Sequence, residues 1–123
     1  MPIAVELRHP GWYEPEPYAL VADVLARHRI TFAGVDAPGL LPEVRATSPD
    51  LSVVRFHGRS AHWGRGSKED RYRHTYERDE LEEWVPRIHI LVKESAAVHV
   101  LFNNCCADAS VRAAETMREL VHS

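Results

Sequence analysis

Cysteine is nearly absent: the 123 residues hold two, and these are neighbours, Cys105 and Cys106. Adjacent cysteines make a poor cross-link for a fold, so a disulfide scaffold is excluded and a reducing compartment is expected. No apolar run approaches the roughly 20 residues that span a bilayer. The first ten residues, MPIAVELRHP, lack the basic start and long apolar centre of a signal peptide. A cytoplasmic protein with no membrane partner is the expectation. A large charge of one sign is missing as well. Fifteen basic against eighteen acidic residues leave a net charge of -3, which argues against general coating of nucleic acid or lipid. No glycine-rich phosphate loop follows any apolar segment, which removes the usual dinucleotide fold.

The rest of the composition is that of a folded domain, with 45% hydrophobic and 27% charged residues. Nothing marks a boundary, so residues 1–123 are read as one domain without a second. Four short apolar segments bounded by Pro, Gly, Asp or Asn predict strands over Ile3–His9, Thr31–Asp36, Leu51–Gly58 and Ala97–Asn104. Helical spacing appears in Tyr18–His28, through Leu20, Val21, Val24 and Leu25. It appears again through Leu81, Trp84, Val85, Ile88, Leu91 and Val92, behind a cap at Asp79 and with Pro86 expected to kink or restart the helix. A last helix runs from Asp108 (or Ser110) to Val121, through Val111, Ala114, Met117 and Leu120.

Strands that alternate with helices imply crossover units and a parallel sheet. An open doubly wound sheet is covered on both faces, and its strands are usually apolar throughout. Here Glu6 with Arg8, and Arg55 with His57, recur at the two-residue strand period and place polar groups on one face. A barrel tolerates such residues near the C-terminal strand ends, where sites are built. The fold class expected is therefore α/β.

Five stretches carry a resemblance: Val5-Glu6-Leu7-Arg8-His9-Pro10 with Trp12, Val35-Asp36-Ala37-Pro38, Val53 to Arg59, Tyr72 to Trp84, and Phe102-Asn103-Asn104. Together they resemble the YecE-like barrels, domain of unknown function 72. The resemblance implies a TIM-type (β/α)8 barrel, which takes about 250 residues, so this chain would be its C-terminal half of four strands. Such proteins tend to carry histidine after Asn104 and tyrosine near position 74, where this chain has Cys105 and His74. The family is functionally uncharacterised, and its likeness to sugar isomerases is one of fold alone.

The candidate catalytic residues are Glu6, His57 and Asp36. Glu6 is a carboxylate near the mouth, fit to bind a metal, to act as a base or to hold a guanidinium. His57 is suited to proton transfer near neutral pH, and Asp36 ends its strand before Pro38. Candidate substrate-binding residues are Arg8, Arg55 and Arg59, whose planar forks suit carboxylate or phosphate, with Tyr72, Tyr76, Asn103 and Asn104. From Arg55 to Arg78 seven Lys or Arg face three acids, a net of +4, against -7 for the remainder. Trp63, Tyr72 and Tyr76 are interleaved there, a pattern that suits an anionic or sugar-like substrate and also a single-stranded nucleic acid. No helix carries a metal-ligand histidine pair, so no metal is expected, and no cofactor is indicated. A hydrolase or isomerase of a polar anionic or carbohydrate substrate is one reading. A nucleic-acid-binding or phosphodiester-cleaving barrel is a second. A truncated, inactive fragment is the third: half a barrel leaves two open edges, which a missing N-terminal half or a second copy could cover.

Overall fold

The computed structural model of the chain describes residues 2–38, 43–59, 75–103 and 108–123. The elements are β1 (Ala4–Val5), a 3-10 turn (Pro10–Tyr13), α1 (Pro15–Arg27), β2 (Thr31–Phe32), β3 (Gly34–Asp36), β4 (Leu51–Phe56), α2 (Arg78–Glu82), α3 (Val85–Glu94), β5 (Ala97–Phe102) and α4 (Ala109–Val121). Every strand pairing is parallel, β1 with β2 and β3 with β4 and β5 in that order. The expected strand over Thr31–Asp36 is one run that changes partner at Ala33. Its first half donates to β1, from Thr31 N to Ile3 O and from Ala33 N to Val5 O, both at 2.9 Å. On the other side of that half, Thr47 stands where a neighbouring strand would. Its Oγ1 accepts from Phe32 N at 2.8 Å and donates to Ile30 O at 2.5 Å.

Side-chain alternation sorts the strands into two faces. Val54 and Phe56 of β4, with Val98, Val100 and Phe102 of β5, pack on Leu81, Ile88, Leu91, Ala113 and Met117 of α2, α3 and α4 and on Trp84 between α2 and α3. Val5 and Phe32 pack on Ala22 and Leu25 of α1. All four described α-helices thus pack on the same side of the strands. The opposite side carries Val35, Arg55 and Leu101 in register.

The helix boundaries follow local chemistry. Pro15 occupies the first turn of α1, where its missing donor does no harm. Pro86 restarts the chain as expected, standing in the first turn of α3 after the short α2. The cap of α2 is Glu77 and not Asp79. Glu77 is the last extended residue, and the Glu80 side chain accepts from its backbone N at 2.8 Å in a capping box. Among the described residues, no helix is long and apolar enough to cross a membrane.

Burial is concentrated under α3, so Ile88→Ala should lower unfolding free energy by about 2–5 kcal/mol. Leu20→Ala, on the open side of α1, should stay within about 0.5 kcal/mol. Urea denaturation of the two variants measures the difference.

Candidate functional site

Parity along the strands decides which polar residues meet. Val5 faces α1, so Glu6 faces the other way, toward the side that also carries Arg55 and, two residues on, His57. Glu6 is the hub of this group. Its carboxylate accepts from Arg8 Nε at 2.7 Å, lies 3.3 Å from Arg55 Nη1, and has His57 Nε2 at 3.2 Å from each oxygen. These contacts span β1 and the end of β4, beside the last residue after β5: Asn103 Nδ2 stands 3.5 Å from His57 Nδ1. Burial would raise the Glu6 pKa, but the hydrogen bonds from His57 and Arg8 and the charges of His57 and Arg55 outweigh it and bring it to about 2. An ionised carboxylate can only accept, so Nε2 of His57 carries a proton and, in the neutral ring, Nδ1 is the acceptor facing Asn103.

The accessibility of the four groups is graded. His57 is 0% exposed, the Glu6 side chain 13% and the Arg8 side chain 46%, with Arg55 between the last two. Two guanidiniums therefore face outward around one carboxylate, and the histidine stands behind it. The group is net positive whether or not His57 is charged. Proton transfer from His57 to a bound molecule, as the sequence suggested, has no direct path while Glu6 covers Nε2.

Asp36 is elsewhere. It is in register with Phe56, on the helix-facing side of the sheet, so the expected convergence with Glu6 and His57 does not occur. The carboxylate, 2% exposed, accepts from Arg59 Nε at 3.0 Å and Nη2 at 2.8 Å, from Tyr76 Oη at 2.7 Å and from Trp84 Nε1 at 2.9 Å. Burial alone would raise its pKa, but these donors and the Arg59 charge hold it below the usual carboxylate value. Tyr76 also accepts from Gly58 N at 2.8 Å, and burial beside the Asp36 charge pushes its phenol up. Gly58 has φ 94, which a side chain rarely adopts. The chain can thus bend directly after His57 and bring Arg59 back over Asp36. Arg59 further meets Glu83 at 3.1 Å and Glu80 at 3.4 Å. Both Arg59 and Tyr76, expected to bind substrate, are engaged in this latch instead. Trp84, Glu80 and Glu83 were not singled out from sequence. The helical spacing of Trp84 signalled burial but gave no hint of the acceptor its indole nitrogen would find. Tyr72, Asn104, Cys105, Cys106, His74 and Trp63 lie outside the described residues. Among the described residues, no three His, Cys, Asp or Glu side chains gather as a metal would require.

Residues 1–123 match the family model described as protein of unknown function DUF72. The chain belongs to the DUF72 family. A relative from Bacillus subtilis (strain 168), UPF0759 protein YunF, is 31% identical over 132 residues, which cover 98% of this chain and 47% of its own. Crystal structures of DUF72 proteins from Thermotoga maritima MSB8 and Enterococcus faecalis V583 superpose with TM-scores of 0.86 and 0.83, at 28% and 26% identity. Each covers 100% of this chain, which corresponds to 47% and 49% of theirs. This DUF72 chain thus spans about half the length of the relatives it matches.

Two predictions separate the two carboxylates. Asp36→Asn removes the buried charge on which Arg59, Tyr76 and Trp84 converge and should destabilise the fold by about 1.5–3 kcal/mol in urea denaturation. Glu6 has a folded pKa of about 2 against an ordinary 4.5. Its stabilisation is therefore complete above about pH 4.5 and is lost as pH falls toward 2, because the unfolded chain takes up the proton first. Glu6→Gln should flatten that part of the profile of urea midpoint against pH, leaving the Asp36 contribution in place.

Proposed function

We propose that this chain is the C-terminal half of a parallel (β/α)8 barrel that binds a polar anion, phosphate-bearing or carbohydrate-derived, through Arg8 and Arg55 at its C-terminal strand ends. One observation carries the reading: a net-positive group of two guanidiniums around one carboxylate sits on the sheet face opposite the described α-helices. Parallel strands in sequential order, helices on one face only and polar groups beyond the strand ends are the layout of a barrel segment with its site at the mouth. Arginine suits carboxylate and phosphate because its fork offers parallel donors that stay charged. Glu6 fixes where those forks stand, and His57, sealed behind it, fixes Glu6. In a hydrolase or isomerase built on this site, Glu6 would act as a permanent negative charge beside the reacting group. His57 is then a positioning residue and Asp36 a structural one.

Nucleic acid offers the same phosphate chemistry, but the described flanks of the basic segment speak for the smaller ligand. Arg59 and Arg78 are each already paired, with Asp36, Glu80 and Glu83, and with Glu82 and Glu119. The charge of these two described flanks is largely answered within the chain, so neither offers a free contact to a phosphate backbone.

Titration calorimetry with inorganic phosphate and pyrophosphate tests the site. Arg8→Ala and Arg55→Ala should each weaken binding about tenfold or more, the usual worth of a charge-assisted contact, and His57→Gln should weaken it less. Equal affinity in the double arginine variant would remove the assignment.

A further inference from the structure

Arg55 is held at one corner. Its Nη1 stands 3.3 Å from Glu6 Oε1, farther than Arg8 Nε at 2.7 Å or His57 Nε2 at 3.2 Å from the same carboxylate. Among the described residues, Arg55 Nε is a buried donor with no acceptor. Such a donor is costly to leave unmet, so Arg55 gains by turning its Nε–Nη2 edge toward an acceptor. That edge offers two parallel N–H bonds, which match the two oxygens of one planar group.

The charge count sets what that acceptor can be. Arg8 and Arg55 supply two positive charges, and Glu6, ionised with its pKa near 2, takes one back. His57 gives Nε2–H to Glu6 and turns Nδ1 to Asn103 Nδ2 at 3.5 Å, the arrangement of a neutral ring. The described group therefore offers one positive charge. Two further titratable groups share this side. The hydroxyl of Tyr13 donates to Leu7 O, and burial with the Glu6 charge pushes its phenol up. His99 has the parity of Leu101 along β5, one step back from Arg55. Asp36 and Arg59 answer each other on the helix-facing side. A carboxylate ligand balances the single charge. A phosphate ester carries about -1.5 to -2 at pH 7, and its second charge would face Glu6 with no cation to answer it.

We infer that the site takes a monoanionic carboxylate, seated on the Nε–Nη2 edge of Arg55, and that a phosphate ester enters only together with a proton. The inference rests on the anion-site reading above and narrows it. The proton comes from solvent and is held on a phosphate oxygen or on His57 Nδ1. In the second case the Asn103 amide turns its oxygen to the ring, because both ring nitrogens then donate.

Calorimetry on the whole chain with gluconate, a sugar acid, and with glucose 6-phosphate provides the test, run in buffers of different ionisation enthalpy to count protons. Gluconate should bind equally at pH 7 and pH 8 with no proton taken up. Glucose 6-phosphate should take up about one proton and lose affinity about tenfold over that step, since its second ionisation lies near pH 6. Arg55→Lys keeps the charge and loses the fork. It should cost gluconate about tenfold or more and glucose 6-phosphate less. Glu6→Gln removes the opposing charge and should raise glucose 6-phosphate affinity about tenfold at pH 8, with the proton uptake gone. The proton count on the unaltered chain stands whether or not Glu6→Gln folds. Glucose 6-phosphate binding more tightly than gluconate at pH 8 without a proton would overturn the inference and leave the anion site standing. Unchanged gluconate affinity in Arg55→Lys would overturn the seat on Arg55. Binding of neither ligand would remove the anion site, and the inference with it.

Discussion

The carboxylate of Asp36 has no water to turn to. At that depth an ionised group must be met by donors on every side or the fold loses more than the pair can return. Arg59, Tyr76 and Trp84 meet it, and they come from three places: the bend after β4, the approach to α2, and the turn between α2 and α3. One side chain on β3 therefore fixes where β4 ends, where the segment returns and how α3 starts. The aromatic cluster of Phe56, Tyr76, Trp84 and Phe102 packs around the same point, with the Phe56 and Phe102 rings stacked at 4.6 Å. The position of His57 depends on this arrangement, since its backbone N donates to Asp36 O at 2.9 Å.

Glu6 solves the same problem on the other face with a different result. It too is ionised and surrounded by basic groups, but two of its partners stay partly exposed to solvent. The same residue chemistry gives a latch where the surroundings are closed and an electrostatic site where they are open. What separates them is parity: Glu6 follows Val5, which packs on α1, and so turns to the other side, whereas Asp36 pairs with Phe56 on the helix-covered one.

That parity explains what could be read in advance. The strand and helix order was legible because apolar spacing and the prolines agree at each element, and Pro86 restarts the helix as its missing donor requires. Glu6, Arg8, Arg55 and His57 were legible as one group because each pair keeps the two-residue period. Asp36 was misplaced because the run from Thr31 to Asp36 is apolar on both faces, so nothing in it says which way the last residue points. The register with Phe56 supplies that, and register is a tertiary fact. Arg59 and Tyr76 were misread for a related reason. A basic residue in a loop looks like a ligand contact until a buried acid claims it, and that acid is 23 residues away.

Long-range pairing also bears on why the bare face exists. A parallel strand must be reached by a crossover, and crossovers of one hand put every helix on the same side. Four strand positions linked this way cover one face of the sheet and leave the other with Val35, Arg55, Leu101 and the Glu6 group. Open doubly wound sheets cover that face by reversing direction and sending helices to the second side. Among the described residues the order does not reverse: β2 follows β1, and β3, β4 and β5 follow one another. The charged group of Glu6, Arg8 and Arg55 stands on that second side, at the ends of β1 and β4.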